Sequence, residues 1–398
     1  MWELEDFTEI RRWYALHLLL CITFFISSLL INAIQFLLFV TIRPFSKSLY
    51  RNINYYLLYS IMAHVLFLAE WWSCSDVRVY TTDESFKHWG NEHAIIVMNH
   101  TYEVDWLMGW IVADRSRVLG GAKVFVKKMM KYVPTIGWAW WCSDIIFLHR
   151  NWQEDKSIME TQIKELFEYP YPVWMLLFCE GTRFTAKKHE ASMEVARQKG
   201  LPELKHHLLP RTRGFIQCSQ SMKGHFKAIY DVTVSFNTPI TKLVSFPRKE
   251  GAEPTLLNML RGQKVLGEMY IRRLDLNEVP TDDEGAANYL HALYRSKDEL
   301  LDSYINTGSF TKQNKMSNYP LRVMPRRIWS LCNMVGWTIF VVCLVSYYYY
   351  HLLTTGSFLA NAVAIGIVFI AYIGLYKMIG LTKIEKGSKY GSEEAKTK

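Results

Sequence analysis

The sequence has little of what builds a metalloprotein, a redox protein or a nucleotide-binding fold. Its seven cysteines (Cys21, Cys74, Cys142, Cys179, Cys218, Cys332 and Cys343) form no CxxC pair and fall at no zinc-ligand spacing. A disulfide framework is therefore not expected, and a reducing compartment suits the main domain. HExxH, zinc-finger and glycine-rich dinucleotide patterns are all missing, so neither a metal nor a bound cofactor is implied. The Gly-x-Ser-x-Gly elbow of serine hydrolases is missing too, which argues against a lipase. No internal repeat occurs. A mean hydropathy of −0.01 is too low for a polytopic transporter.

What is present is apolar and aromatic. Of 398 residues, 50% are hydrophobic and 15% aromatic, rich for an ordinary soluble enzyme, which implies a soluble-type domain joined to a few apolar spans. Lys and Arg number 46 against 37 Asp and Glu, a net charge of +9. That excess suits a solvated basic surface, the positive flanks of membrane spans, or attraction to anionic lipid or a phosphorylated substrate. No nucleic-acid partner is expected.

Residues 13–42 carry no formal charge, and a spanning helix needs roughly 20 apolar residues, so this run is long enough to cross with some tilt. It is too long for a signal peptide and reads as an uncleaved anchor. The second run, 52–69, includes Asn54 and His64 and ends in Glu70-Trp71-Trp72. It reads better as an interfacial or re-entrant helix than as a full span. The run 328–376 divides at His351 to Ser357 into two helices, a membrane hairpin. Arg322, Arg326 and Arg327 before it and Lys377, Lys383 and Lys386 after it put both ends on the cytosolic side. Arg43, Lys47 and Arg51 outnumber Arg11 and Arg12, which favours a cytosolic exit from the first run. The expected organisation is an N-terminal membrane anchor and interfacial helix (1–76), a catalytic domain with a C-terminal extension (77–319), the hairpin (320–386) and a polar tail (387–398).

Within the middle region, short apolar runs at 94–98 and 173–178 and an alternating run at 228–236 read as strands, with helical patterns such as 156–167 between them. Strands alternating with helices predict an α/β layer structure. The first run ends at Asn99-His100-Thr101-Tyr102-Glu103-Val104-Asp105. Residues five apart on one helix point about 140° apart, so His100 and Asp105 meet only if His100 sits in a turn and Asp105 in the first turn of the following helix. There the carboxylate would fix the imidazole tautomer and leave the other ring nitrogen as a general base for a substrate hydroxyl. By themselves these residues read more readily as a helix-capping Asn99 beside an incidental histidine. The second run leads into Phe178-Cys179-Glu180-Gly181-Thr182-Arg183, where glycine allows close backbone approach and arginine offers a phosphate fork. Two further segments are Ile145 to Arg150, a strand-like run ending in His149-Arg150, and Leu209-Pro210-Arg211-Thr212-Arg213-Gly214-Phe215, a basic turn. Lys123, Lys127, Lys128 and Lys131 precede the apolar 133–141 and read as an interfacial helix, or as a basic, bilayer-facing patch beside an acyl-chain entrance.

In this order the four segments resemble the blocks of the glycerolipid acyltransferase family, and later text resembles its extended eukaryotic branch with the 1-acylglycerol-3-phosphate acyltransferases of gamma and delta type. The resemblance covers about residues 94–215 in motif terms. It implies an acyl-CoA-dependent enzyme of the endoplasmic reticulum membrane, multi-pass, with its catalytic domain facing the cytosol. Acyl-CoA is a co-substrate, not a resident cofactor. The acceptor is lysophosphatidic acid or a related lysophospholipid, such as lysocardiolipin or lysophosphatidylinositol. A non-catalytic, lipid-shaping membrane protein is the rival from another class. His100 would be the base and Asp105 its orienting partner. Arg150, Glu180, Gly181, Thr182 and Arg183 would shape or bind the acceptor, and Pro210 would support the donor side. Two positions depart from the pattern: Cys179 replaces a proline, and Asp144 stands where glycine is usual.

Overall fold

The computed structural model of the chain describes residues 10–149, 151–236, 253–310 and 319–380. Arg150 and the polar tail at 387–398 lie outside the described residues. Among the described residues, eight strands form one sheet: β1 (Asp76–Tyr80), β2 (Ala94–Met98), β3 (Ala122–Lys127), β4 (Ile146–Leu148), β5 (Trp174–Leu177), β6 (Ala228–Phe236), β7 (Leu266–Asp275) and β8 (Leu321–Arg322). Their spatial order is β4-β3-β5-β2-β6-β7-β1-β8. The run β4 to β6 is parallel, β7 lies antiparallel to β6, β1 is parallel to β7, and β8 closes the edge antiparallel. The α/β layering expected from the alternation of runs is thus present, and the strands read at 94–98 and 228–236 are β2 and β6.

Parallel strands covered on both faces read as continuous apolar runs, because alternate residues enter different cores. β2 does so: Ala94 and Met98 belong to one buried cluster, Ile95 and Val97 to the other. The second cluster is closed by α6 (Trp152–Phe167), α7 (Ala186–Gln198), α8 (Thr212–Met222) and α10 (Asp283–Thr307). The first is closed by α2 (Lys47–Phe67), α4 (Asp105–Arg115) and α9 (Leu256–Leu260), with α1 (Tyr14–Thr41) packed on α2 and adding Ile31 and Phe24. The short helices α3 (Asp83–Lys87) and α5 (Ile136–Cys142) finish the rim, and α11 (Trp329–Thr355) and α12 (Phe358–Gly380) form the C-terminal pair.

Among the described residues, three helices are long and apolar enough to cross a membrane: Tyr14–Thr41, Lys47–Trp72 and Trp329–Leu352. The second is α2 continued through a π-helical turn at Leu68–Trp72, about 39 Å at 1.5 Å per residue. Both of its ends bond to the α/β domain. Near the start, Tyr50 donates to the Cys142 carbonyl (2.6 Å) and Arg51 pairs with Asp144 (3.0 Å). Near the finish, Arg115 donates to Glu70 (2.6 Å) and the Trp72 indole to the Leu260 carbonyl (2.7 Å). α2 therefore runs along the domain, as an interfacial helix would, although its length also allows a crossing. α1 shares this course: His17 meets Trp72 at 6.2 Å between ring centroids, and Phe39 meets Trp141 at 4.8 Å. Its length suits the expected anchor, and its packing keeps it beside the domain. α11 differs. Its hydrogen bonds to the rest of the chain come from its first turns, through Ser330 to Trp71 and through Asn333 and Trp337 to Ser60; it packs on α2 and α1, and α12 packs on α1 as well as beside α11.

The lysine-rich stretch is not a helix. Its Ala122–Lys127 part is β3, which follows from the period-two pattern of Val124 and Val126, and a 3-10 turn spans Lys128–Tyr132. Lys123 is fully buried, donating to the Ser143 carbonyl (2.6 Å) and the Tyr169 hydroxyl (3.1 Å), so it meets no phosphate. Asp144 has φ of 55°, in the left-handed region that favours glycine and that aspartate tolerates. That accounts for the departure at this position, and its carboxylate is spent on Arg51.

Candidate active site

β2 and β5 are neighbouring parallel strands, so the segments following them leave the sheet at the same edge, where ligands of open α/β sheets bind. Asn99 is no helix cap. Its amide accepts from Val234 N (2.8 Å) and donates to Val234 O (3.0 Å), extending the β2 pairing with β6 by one side chain. The loop then turns, and α4 begins at Asp105. The Asp105 Oδ2 atom accepts from Thr101 N (2.6 Å), Tyr102 N (2.9 Å) and His100 Nδ1 (3.0 Å). A carboxylate can only accept here, so Nδ1 carries the hydrogen and Nε2 holds a free lone pair. The imidazole stacks on Phe178 (4.0 Å between centroids, 21°) and its side chain stays 17% exposed, enough to be reached. The turn-plus-helix arrangement expected from the spacing of His100 and Asp105 is the one observed.

Glu180 comes from the end of β5 and is fully buried. One carboxylate oxygen accepts from His100 N (2.8 Å), the other from Leu208 N (3.2 Å), so it ties the His100 turn to the 203–211 loop. Burial pushes its pKa up to about 8, against the pull of those two amides. Gly181 has φ of 69°, and a Cβ there would come within 3.0 Å of the Arg211 side chain. Thr182 accepts from Lys188 Nζ (2.9 Å). Arg183 lies 3.9 Å from Glu103, and its buried Nη1 makes no hydrogen bond within the protein. Pro210 is buried, and the next residue donates from Arg211 N to the Cys179 carbonyl (2.7 Å). His100, Asp105, Glu180, Gly181, Thr182, Arg183 and Pro210 thus converge around one edge of the sheet.

Burial pushes the Cys179 thiol up to about 12, so it stays protonated near neutrality and offers no thiolate. Among the described residues no group of His, Cys, Asp and Glu could hold a metal ion.

Sequence reasoning missed several contributors. Lys188 adds a second cation beside Arg183, placed by the Thr185 cap of α7, and a lysine five residues beyond the arginine was the available signal. On α10, Asp298 accepts from Lys205 N (2.7 Å), His206 N (2.8 Å) and His207 Nδ1 (2.9 Å), bracing the loop whose Leu208 holds Glu180. Its neighbour Lys297 is buried and donates to the carbonyls of Val97 (3.0 Å) and Val232 (2.6 Å), with Asp231 as ion-pair partner. No local pattern announces these roles.

A cavity of 620 Å³ opens beside His100. Its floor is one face of the sheet, since Ile96, Met98, Leu176, Phe178, Tyr230 and Val232 are alternate residues of β2, β5 and β6 or directly follow them. Its roof comes from α4 (Trp106, Trp110) and from α1 and α2 (Phe24, Val65). Nearly all of this lining is apolar, and the volume falls within the range of ligand pockets.

Residues 76–237 match the acyltransferase family model, and residues 258–337 match the model of the acyltransferase C-terminus. The chain is 39% identical over 389 residues to the human 1-acyl-sn-glycerol-3-phosphate acyltransferase delta, covering 98% of each chain. It is 40% identical over 390 residues to the human gamma enzyme, again 98% of each, and 38% identical over 389 residues to the mouse delta enzyme. Likeness of this extent, running through the catalytic domain and the helices on either side of it, makes the chain a member of the 1-acylglycerol-3-phosphate acyltransferase family on its gamma/delta branch.

Proposed function

We propose that the chain transfers a fatty acyl group from acyl-CoA to the sn-2 hydroxyl of 1-acylglycerol-3-phosphate, giving phosphatidic acid, with no acyl-enzyme. The observation that carries this reading is the His100 Nδ1 to Asp105 Oδ2 bond of 3.0 Å, held at the mouth of an apolar cavity. Nε2 of His100 takes the acceptor's hydroxyl proton as that oxygen attacks the thioester carbonyl. The new C–O bond forms, the C–S bond breaks, and the departing thiolate recovers the proton from the imidazolium. Asp105 stabilises that imidazolium, and its own charge is steadied by two backbone amides and the N-terminus of α4. Arg183, with an unused donor and Lys188 next to it, takes the acceptor phosphate. The buried, protonated Cys179 supports direct transfer over a covalent intermediate.

We place the catalytic domain on the cytosolic side of the endoplasmic reticulum membrane, where acyl-CoA is made available. The basic flanks of the apolar helices support that orientation. A panel of lysolipid acceptors and acyl-CoA donors tests the reading with wild type and His100→Ala. Lysophosphatidate should be the best acceptor, and the folded variant should lose about 10²- to 10⁴-fold in turnover. Full turnover by His100→Ala, or preference for another lysolipid, would overturn the corresponding part.

A further inference from the structure

We propose that residues 128–141 form a lateral portal between the lipid leaflet and the apolar cavity, through which the acyl chain passes sideways without crossing water. The proposal rests on the acyl-transfer reading for what passes, but not for which surface meets the lipid. This segment is a wall one side chain thick. Met130, Val133, Ile136 and Trp140 point inward and line the cavity. Met129, Tyr132 and Trp138 point outward, 68%, 72% and 43% exposed. Three large apolar or aromatic side chains exposed within ten residues mark a surface meant to be covered.

What covers it is a lipid leaflet with anionic headgroups. The wall joins α1, where Trp141 packs on Phe39 at 4.8 Å. The apolar surface continues outward through Leu37, Val40 and Phe45, all exposed. Cations frame it at the level of these aromatic rings. Lys131 Nζ sits 4.9 Å over Trp141, the Arg43 guanidinium 4.8 Å over Phe39, and Lys128 is exposed. Tyr and Trp interleaved with Lys and Arg suit the headgroup layer, and the charge complements lipid phosphate.

The wall also carries a strained joint. Thr135 adopts φ 70° and ψ −83°, with Ile136 N donating to the Pro134 carbonyl (3.1 Å), a tight three-residue turn in a region that β-branched residues avoid. Its hydroxyl is buried without a hydrogen-bond partner. The turn separates the Lys128–Tyr132 segment from α5, and Gly137 keeps α5 against the Met130 carbonyl, where a Cβ would come within 2.0 Å. A joint that is strained when closed is suited to opening.

The test uses the full-length protein in phosphatidylcholine vesicles with and without phosphatidylserine. A benzoylphenylalanine photo-crosslinker at position 132 or 138 should form phospholipid adducts, more of them with phosphatidylserine present, while the same group at Glu299 on α10 should form none. Equal adducts at all three positions, or none at 132 and 138, would overturn the surface. In a second arm, Tyr132→Glu and Trp138→Glu should lower transfer from a long-chain acyl-CoA about tenfold and leave transfer from water-soluble butanoyl-CoA within about twofold. Parallel loss with both donors would overturn the portal, because damage to the fold does not distinguish chain lengths. Wild type that transfers neither chain would sink the acyl-transfer reading instead, leaving the adducts to decide the surface.

Discussion

Asparagine in place of Asp105 would keep the shape of the site and remove its charge. Three donors converge on one oxygen of this carboxylate, so the amide must turn its own oxygen toward them. Its NH₂ then takes the position of Oδ1, a buried atom with no hydrogen-bond partner, and stranding a donor there costs about 1–3 kcal/mol of stability. The folded variant retains both backbone contacts and the ring orientation. What it loses is the attraction between a full carboxylate and the imidazolium formed as the hydroxyl proton moves. For unit charges about 4 Å apart, at an effective dielectric of about 20, that attraction is about 4 kcal/mol. Solvent near the partly exposed imidazole trims it, so a loss of about 100- to 1,000-fold in kcat is expected, with KM for lysophosphatidate within about twofold. Release of the CoA thiol, followed colorimetrically on vesicles carrying lysophosphatidate, reads both constants. Folded Asp105→Asn that kept more than about a tenth of wild-type kcat, or lost only KM, would refute general-base catalysis by this pair.

Four other outcomes are expected. Arg183→Lys should raise KM for lysophosphatidate about tenfold with kcat little changed, since lysine lacks the bidentate fork; saturation curves at fixed acyl-CoA check it. Glu180 has a folded pKa raised to about 8, so its contribution to stability is full below the ordinary carboxyl range and is lost as pH rises through about 8. The neutral Glu180→Gln lacks this dependence, so its melting temperature should gain on wild type between pH 5 and 8, read by scanning fluorimetry. Asp298→Ala removes three hydrogen bonds that brace the 205–208 loop and should lower kcat about tenfold; made together with Glu180→Gln, it should add little to that variant's loss, because both act on one connection to His100. Cys179→Ala should turn over within about threefold of wild type, and abolished turnover would argue for a covalent intermediate.

The sequence by itself determined the local parts. The run at 94–98 named its strand because a strand covered on both faces is apolar throughout, and the run at 228–236 named its own by alternation. The five-residue interval from His100 to Asp105 dictated a turn followed by a helix start, since no single helix brings the two together. The basic, aromatic flanks and uncharged lengths identified the membrane-associated helices. Only the tertiary structure decided what lies far apart in the chain. That β2 and β5 are neighbours, that Glu180 bonds the backbone of His100, and that Asp298 and Lys297 of α10 brace the site across about 90 to 200 residues all depend on strand order and helix docking. Lys123 illustrates the limit from the other side: a lysine in a lysine-rich run was expected at the surface, and the fold buried it against the Ser143 carbonyl and the Tyr169 hydroxyl, partners 20 and 46 residues away. Local periodicity is written in short stretches of chain and can be read there. Which face finds which partner is settled only when the whole core closes.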